Sequence, residues 1–139
     1  MRVLVDTNVI LDAIEGENEF YEDSYSTLVI CATSKVQGYL AAHTITNLFY
    51  ILRKRFANDD CRDILLNLFT IFNIEPIDST KLETALNNRE FKDFEDCLQM
   101  ECAKLVDADL IITRDSKFIS SSVVPCVTPR DFCKMFDEN

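Results

Sequence analysis

Residues suited to turns and linkers are scarce in this chain of 139 residues, which has only two glycines and three prolines. No repeat or low-complexity stretch interrupts it, so residues 1–139 are expected to form a single domain. No apolar run approaches the roughly 20 residues that cross a bilayer. The amino terminus has no basic region followed by an apolar one, so no signal peptide is expected. These absences predict a cytoplasmic protein with no membrane association.

The patterns typical of zinc sites and disulfide frameworks are also missing. The chain has a single histidine, His43, and its six cysteines include no Cys-x-x-Cys pair. Zinc ligation usually needs closer spacing and more histidine. We therefore expect small buried hydrophobic side chains in a reducing cytoplasm for Cys31, Cys61, Cys97, Cys102, Cys126 and Cys133.

Positive charge is in short supply, since the formal net charge is −10. This argues against capture of nucleic acid by a broadly basic surface. The strongest basic run is Arg53-Lys54-Arg55, which either contacts phosphates or a partner's acids or is simply a solvated helix face. The acidic excess either keeps a small protein soluble or includes clustered carboxylates whose charge a metal offsets.

Short apolar runs alternate with helical patterns along the whole chain. Five strands are predicted, at 2–6, 38–42, 74–77, 110–113 and 123–127. Between them the spacing of apolar residues predicts helices at 9–14, 19–33, 44–52, 60–72, 79–86 and 94–106, with a last helix opened by Thr128-Pro129. Strands separated by helices in this way predict an α/β fold with a parallel, doubly wound sheet.

Local signals refine several of these elements. Thr44 is predicted to be the N-cap of its helix, and Thr44-x-x-Asn47 resembles a capping box with Asn in place of Glu. Pro76 suggests an edge strand. Helix 19–33 is expected to bury Phe20, Leu28, Val29 and Ala32. The aromatic residues at helical spacing form either core or an exposed groove for a partner's helix: Phe20, Phe49, Tyr50, Phe69 and Phe72.

Three aspartates stand where such a sheet would bring them together. Asp6 ends the first strand, Asp96 follows Asp93 in the first turns of a helix, and Asp115 comes just after the fourth strand. Ligand sites of open parallel sheets lie beyond the carboxyl ends of the strands. Each acid also has a local explanation: Asp6 as an N-cap, Asp93 and Asp96 as partners of a helix dipole, and Asp115 as the cap of a short turn.

Clustered acids without a nearby cation need a physical justification. Two bare carboxylates about 4 Å apart repel by roughly 4 kcal/mol at an effective dielectric constant near 20. Mg²⁺ and Mn²⁺ take oxygen ligands and commonly use one or two carboxylates directly. The three aspartates therefore predict a divalent metal site. The competing interpretation, a phosphotransfer domain with Asp6 as nucleophile, is weakened because Asn8 replaces the usual second acid.

Four ordered segments resemble the successive motifs of PIN domains, most closely the single-domain bacterial type found as toxins of toxin–antitoxin pairs. They are Val5-Asp6-Thr7-Asn8-Val9-Ile10, Thr46-Asn47-Leu48-Phe49-Tyr50-Ile51-Leu52, Asp93-Phe94-Glu95-Asp96-Cys97-Leu98-Gln99 and Ile112-Thr113-Arg114-Asp115. The resemblance covers essentially the whole chain, including Val127-Thr128-Pro129-Arg130-Asp131-Phe132.

The resemblance implies a three-layer α/β/α sandwich with a central parallel sheet of about five strands. It also implies a Mg²⁺- or Mn²⁺-dependent endoribonuclease that cleaves RNA and is restrained by an antitoxin, with a homodimer expected by analogy. By position, Asp6, Asp96 and Asp115 take the catalytic and metal-binding roles. Asp6 and Asp96 are the expected direct ligands, while Asn8 and Thr113 are candidates for orienting them.

One position departs from the family pattern. The family commonly has a glutamate on the helix after the second strand, where this chain has Asn47. An amide offers an oxygen without charge, so metal affinity should fall unless Asp93 or Glu95 supplies the missing charge. The alternative function is therefore a weak or inactive PIN-like module that binds RNA or protein. His43 is expected to be a structural histidine rather than a base or ligand.

Overall fold

The computed structural model describes residues 1–137, which contain five strands and eight helices. The strands are β1 (Arg2–Val5), β2 (Gln37–Ala41), β3 (Asn73–Glu75), β4 (Leu110–Ile112) and β5 (Cys126–Val127). The helices are α1 (Thr7–Glu15), α2 (Tyr21–Ala32), α3 (Ala42–Leu52), α4 (Asn58–Ile71), α5 (Ser79–Asn87), α6 (Phe94–Leu105), α7 (Ser116–Ser121) and α8 (Pro129–Lys134).

The five strands form one parallel sheet in the order β3-β2-β1-β4-β5. The first strand lies at its centre, pairing with β2 on one side and β4 on the other. Chain order reverses direction at β1, so the crevice beyond β1 and β4 is the topological switch point where open parallel sheets bind ligands.

Hydrophobic cores on both faces of the sheet complete a three-layer α/β/α sandwich. Because side chains alternate along a strand, Val3 and Val5 of β1 join the core under α1 to α4 and α8, whereas Leu4 joins the core under α5, α6 and α7. The predicted fold class, with its central parallel sheet of five strands, is confirmed.

Both edge strands are shorter than predicted. Strand β3 ends at Glu75 because Pro76 has no N–H to continue the ladder, and the edge position inferred from this proline is confirmed. At the opposite edge, only Cys126 and Val127 of the predicted strand 123–127 pair with β4.

The prediction that Phe20, Val29 and Ala32 are buried on the second helix is wrong. Phe20 precedes α2, and all three side chains are exposed. The helix instead buries Ser24, Thr27 and Cys31. Burial of Thr27 is tolerated because its hydroxyl donates to the Asp23 carbonyl at 2.8 Å, which satisfies the polar group within its own helix.

The N-cap predicted at Thr44 is also wrong, and with it the Thr44-x-x-Asn47 capping box. Helix α3 begins directly at the end of β2, with Ala41 at the N-cap position and no side-chain cap. Thr44 lies inside the helix, fully buried. Its hydroxyl bonds to that of Thr7 at 2.8 Å and so joins α3 to α1.

Within residues 1–137 all six cysteines are free thiols, as predicted. Burial is confirmed for four of them, whereas Cys126 and Cys133 are only half-buried. Burial raises the pKa of the Cys31 and Cys102 thiols to about 12, which keeps them protonated and unreactive. Across the same residues, no helix combines the length and hydrophobicity that a membrane span requires.

We expect Gly38→Ala to destabilise the protein by about 1–3 kcal/mol, because overpacking a filled core forces neighbours to move. An added Cβ would lie 2.8 Å from a ring carbon of buried Phe72 and 3.2 Å from the Cys31 Cβ. Urea denaturation measures the loss. Adding Phe72→Leu should recover part of it, whereas an unchanged denaturation midpoint for Gly38→Ala would contradict the packing.

Candidate functional site

Asp6 lies at the carboxyl end of β1, in the middle of the sheet. Its backbone N–H continues the ladder to the Ile112 carbonyl at 2.9 Å, and only 4% of the residue is exposed. It occupies the N-cap position of α1, yet its side chain makes no capping bond. Its oxygens instead accept hydrogen bonds from Thr113 Oγ1 at 2.7 Å and Gln99 Nε2 at 2.8 Å. Asp6 is therefore the N-cap residue that the sequence suggested, but its side chain serves the site rather than the cap.

Thr113 connects Asp6 to Asp115. Its hydroxyl donates to Asp6 Oδ2 and accepts the Asp115 backbone N–H at 3.0 Å. Asp115 Oδ1 in turn accepts from the Lys117 N–H at 2.9 Å and caps α7. The capping role predicted for Asp115 is thus observed. One of its two oxygens remains outside the cap.

Asp93 and Asp96 open helix α6. Asp93 is its N-cap, with Oδ1 accepting the Asp96 N–H at 2.9 Å. Acids in this first turn suit the helix dipole, as the sequence indicated. The Asp96 carboxylate differs from the others, because no group within residues 1–137 donates a hydrogen bond to it or pairs with it.

Burial, and after it the negative charges of the neighbouring acids, raise the pKa of Asp96 to about 7; the acids are Asp6, Asp93, Asp115 and Glu95. Burial also raises the pKa of Asp6, against the lowering effect of the hydrogen bonds from Thr113 and Gln99. These shifts mean that the carboxylates are close enough to repel one another.

Asn47 faces α6 from α3. Its Nδ2 donates to Glu95 Oε2 at 3.2 Å. The structure thus brings a carboxylate beside the position where the family commonly carries glutamate. His43 Nε2 donates to the Glu95 carbonyl at 3.0 Å, and burial lowers the pKa of this histidine. A neutral His43 that ties α3 to α6 fits the predicted structural role.

These groups surround one cleft of about 430 Å³ at the carboxyl edge of the sheet. All the predicted site residues line this cleft except Thr113, which is buried beneath its surface and donates a hydrogen bond to Asp6. The cleft is lined by Asp6, Thr7, Asn8, Leu11, Asn47, Tyr50, Ile51, Asp93, Glu95, Asp96, Gln99 and Asp115.

Gln99 is the functional side chain that the sequence analysis missed. It is buried and holds Asp6, and its own Oε1 has no hydrogen-bond partner in the protein. Its position could have identified it, because Gln99 follows Asp96 by three residues and so shares its face of α6.

The donor chemistry of the cleft fits a hard divalent cation. Asn8 Oδ1 and Gln99 Oε1 are buried oxygens without partners, and none of the salt bridges within residues 1–137 involves an acid of the cleft. In the same part of the chain no three His, Cys, Asp or Glu side chains already converge as a complete metal site. Mg²⁺ typically takes one or two carboxylates and completes its shell with water, so Asp6, Asp96 and the orphan oxygens offer donor atoms of the type that it prefers.

A neighbouring ion pair was also missed by the sequence analysis. Arg114 Nε donates to Asp12 Oδ2 at 2.7 Å, and its guanidinium stacks over the Phe20 ring at 4.4 Å. Asp12 is almost fully buried within α1. This pair neutralises the arginine that directly precedes Asp115 and fixes α1 to the end of β4.

Fold and cleft together define an α/β/α domain whose acidic site lies at the switch point of a parallel sheet. The sequence profile of the PIN domain matches residues 2–117. The chain therefore belongs to the PIN domain family.

Comparison with known proteins gives the same placement. The chain is 27% identical to Ribonuclease VapC1 of Aquifex aeolicus (strain VF5), over 98% of this chain and 96% of that protein. Its fold is similar to the structure of VapBC2 from Rickettsia felis bound to a DNA fragment from the promoter, with a TM-score of 0.70, 16% identity and coverage of 92% and 98% of the two chains. It is also similar to Mycobacterium tuberculosis VapC20, a Sarcin-Ricin loop cleaving toxin, with a TM-score of 0.69, 12% identity and coverage of 86% and 94%.

The raised pKa of Asp96 predicts how stability changes with pH in the metal-free protein. A carboxyl whose pKa is higher in the folded state favours folding below its unfolded value, near 3.8, and this contribution is lost as the pH rises through about 7. The free energy of unfolding in EDTA should therefore fall across this range more steeply for the wild type than for Asp96→Asn.

Chemical denaturation at a series of pH values measures both curves. Titration of His43, whose pKa is lowered, acts in the opposite direction but is common to both proteins. Parallel curves for the wild type and Asp96→Asn would contradict the assigned environment of Asp96.

Proposed function

We propose that this protein is a divalent-metal-dependent endoribonuclease and the toxin of a toxin–antitoxin pair. The observation that carries the proposal is the acidic cleft at the switch point of a PIN domain. Asp6 and Asp96 share it, and within residues 1–137 neither forms a salt bridge with a lysine or arginine. The likeness to a protein named as a ribonuclease over nearly the whole of both chains supports the same activity.

Asp6 and Asp96 would hold Mg²⁺ or Mn²⁺, with Asp115 acting through water or through Thr113. When bound, the ion would activate water and shield the phosphodiester from the carboxylates. The protein's own contribution is preorganisation. Thr113 and Gln99 fix the Asp6 carboxylate between β4 and α6, and the caps of α6 and α7 fix Asp93 and Asp115.

The proposed partners are RNA as substrate and an antitoxin protein. Known structures of similar fold include a toxin–antitoxin complex from Klebsiella pneumoniae, which supports an antitoxin as the protein partner. A partner could use the apolar groove between α3 and α4, where Leu66 is 62% and Phe69 54% exposed. Of the aromatics that the sequence assigned to core or groove, Phe72 is buried and Phe49 and Phe69 line the groove, whereas Phe20 and Tyr50 are exposed outside it. The homodimer stays a prediction.

We expect the purified protein to cleave structured, tRNA-like RNA with Mn²⁺ and to stop in EDTA. Asp6→Asn and Asp96→Asn should each reduce the rate by at least about 100-fold, since even loss of a group that only supports a ligand costs 10–100-fold. Gel analysis of end-labelled RNA measures the rate. Asp59→Asn, which removes the same charge from the first turn of α4, is the control. Undiminished cleavage by Asp6→Asn would refute the assignment.

The second candidate function is a PIN-like module that binds RNA or protein without cutting, favoured by Asn47 at the usual glutamate position. The hydrogen bond between Asn47 and Glu95 argues for the enzyme, because it supplies a carboxylate beside the amide. Metal binding separates the two candidates.

Calorimetric titration should detect Mn²⁺ binding by the wild type and an affinity about tenfold lower for Glu95→Gln. Glu83→Gln removes the same charge from the exposed face of α5 and should leave the affinity unchanged. No binding heat in the wild type would favour the inactive module. Equal affinities of the wild type and Glu95→Gln would exclude the compensating role of Glu95.

A further inference from the structure

We propose that Tyr50, Arg53 and Lys54 form a platform that binds single-stranded RNA beside the acidic cleft. The inference rests on the ribonuclease proposed above and identifies the surface that would hold the strand next to the cleavage site. A protein of net charge −10 with acids in its cleft repels RNA, the polyanion that it would have to bind. Binding therefore needs positive charge close to the cleft.

Helix α3 carries the platform to the mouth of the cleft. Asn47, Tyr50 and Ile51 lie three and four positions apart, so they share one face of the helix, and all three line the cleft. The Tyr50 side chain reaches solvent, with 58% of the residue exposed. Arg53 and Lys54 follow Tyr50 by the same spacing and place two cations at this end of the cleft.

Stacking joins the three side chains. The Arg53 guanidinium lies 4.3 Å from the centre of the Tyr50 ring, and Lys54 Nζ lies 5.7 Å from it. RNA bases stack on aromatic rings and on planar guanidinium groups, and this pair offers both kinds of surface. The two positive charges attract the phosphates of the same strand. Both features suit an unpaired strand, because bases in a duplex are not available for stacking.

The charges of Arg53 and Lys54 are not neutralised by the protein. Neither forms a salt bridge within residues 1–137, whereas Arg55 pairs with Glu15. Arg114, which directly precedes the cleft residue Asp115, pairs with Asp12. The platform therefore keeps positive charge beside Tyr50 at the cleft, where it remains available to a phosphate.

Binding is measured in the Asp96→Asn background, so that the strand is not cut. Fluorescence anisotropy with a labelled single-stranded RNA of about 12 nucleotides, within the usual span of such sites, reports affinity. Tyr50→Ala and Arg53→Ala should each weaken binding about tenfold, while Tyr50→Phe should retain it. Arg53→Lys keeps the charge without the plane and should recover only part of the loss.

Two further measurements separate the platform from general effects. Lys54→Ala should lower the slope of log affinity against log salt by about 0.7, the value for one phosphate contact on a single strand. Lys35→Ala is its matched control. Lys35 lies just before β2, at the amino ends of the strands and away from the cleft at their carboxyl ends, so its loss should change the slope little.

The outcomes distinguish this proposal from the proposed nuclease. RNA binding that depends on Tyr50 and Arg53, in a protein that cuts no RNA, would support the platform and refute the enzyme. Cleavage with unchanged affinity in Tyr50→Ala and Arg53→Ala would overturn the platform alone. A thermal midpoint lowered by Arg53→Ala without any loss of RNA affinity would overturn it too, assigning the cation to the end of α3. Polyglutamate serves as a probe for an acidic protein partner. If Arg53→Ala weakened binding to polyglutamate but not to RNA, the surface would bind an acidic protein instead.

Discussion

The structure of the site depends on one costly placement, a carboxylate that is almost completely withdrawn from water at the end of the central strand. A buried carboxylate is tolerated only with good hydrogen-bond donors. Asp6 obtains them from Thr113, on β4's continuation, and from Gln99 on α6. Satisfying this single group therefore fixes the distance between the sheet and the helix that carries Asp96. The cleft is a consequence of keeping Asp6 buried and hydrogen-bonded.

The remaining acids serve the fold and the cleft together. Asp93 and Asp115 each commit one oxygen to the first turn of a helix and keep the other in the acidic cluster. Asp96 commits neither oxygen and has the pKa that burial and four negative neighbours impose, about 7. Helix capping thus places charges at the cleft at little cost, because the cap stabilises each charge that the cluster destabilises.

Charge is distributed very unevenly around this edge of the sheet. The acids converge on the cleft, and Arg114 is neutralised by Asp12. Arg53 and Lys54 form no salt bridge within residues 1–137 and lie just after α3, one turn beyond Tyr50. A strongly acidic protein with this arrangement can still attract a polyanion locally, beside its acidic site. The net charge, which at the sequence level argued against nucleic acid, describes the whole surface and says little about this part of it.

The sequence alone determined the fold class and the order of the five strands and of seven of the eight helices in residues 1–137, since apolar periodicity is a local signal. It missed the short helix α7, where it predicted a turn. It also predicted that Asp6, Asp96 and Asp115 meet, because parallel strands all end at the same edge of the sheet. It could not determine which partner each polar group finds. Thr44 looked like a cap and instead bonds Thr7, and Val29 looked buried but is exposed. Gln99 reaches Asp6 across 93 positions of sequence, and Asn47 reaches Glu95 across 48. Contacts between distant segments are selected by packing and by the cost of leaving buried polar groups unpaired. Both packing and that cost depend on which segments meet in the tertiary structure, so local sequence signals do not reveal them.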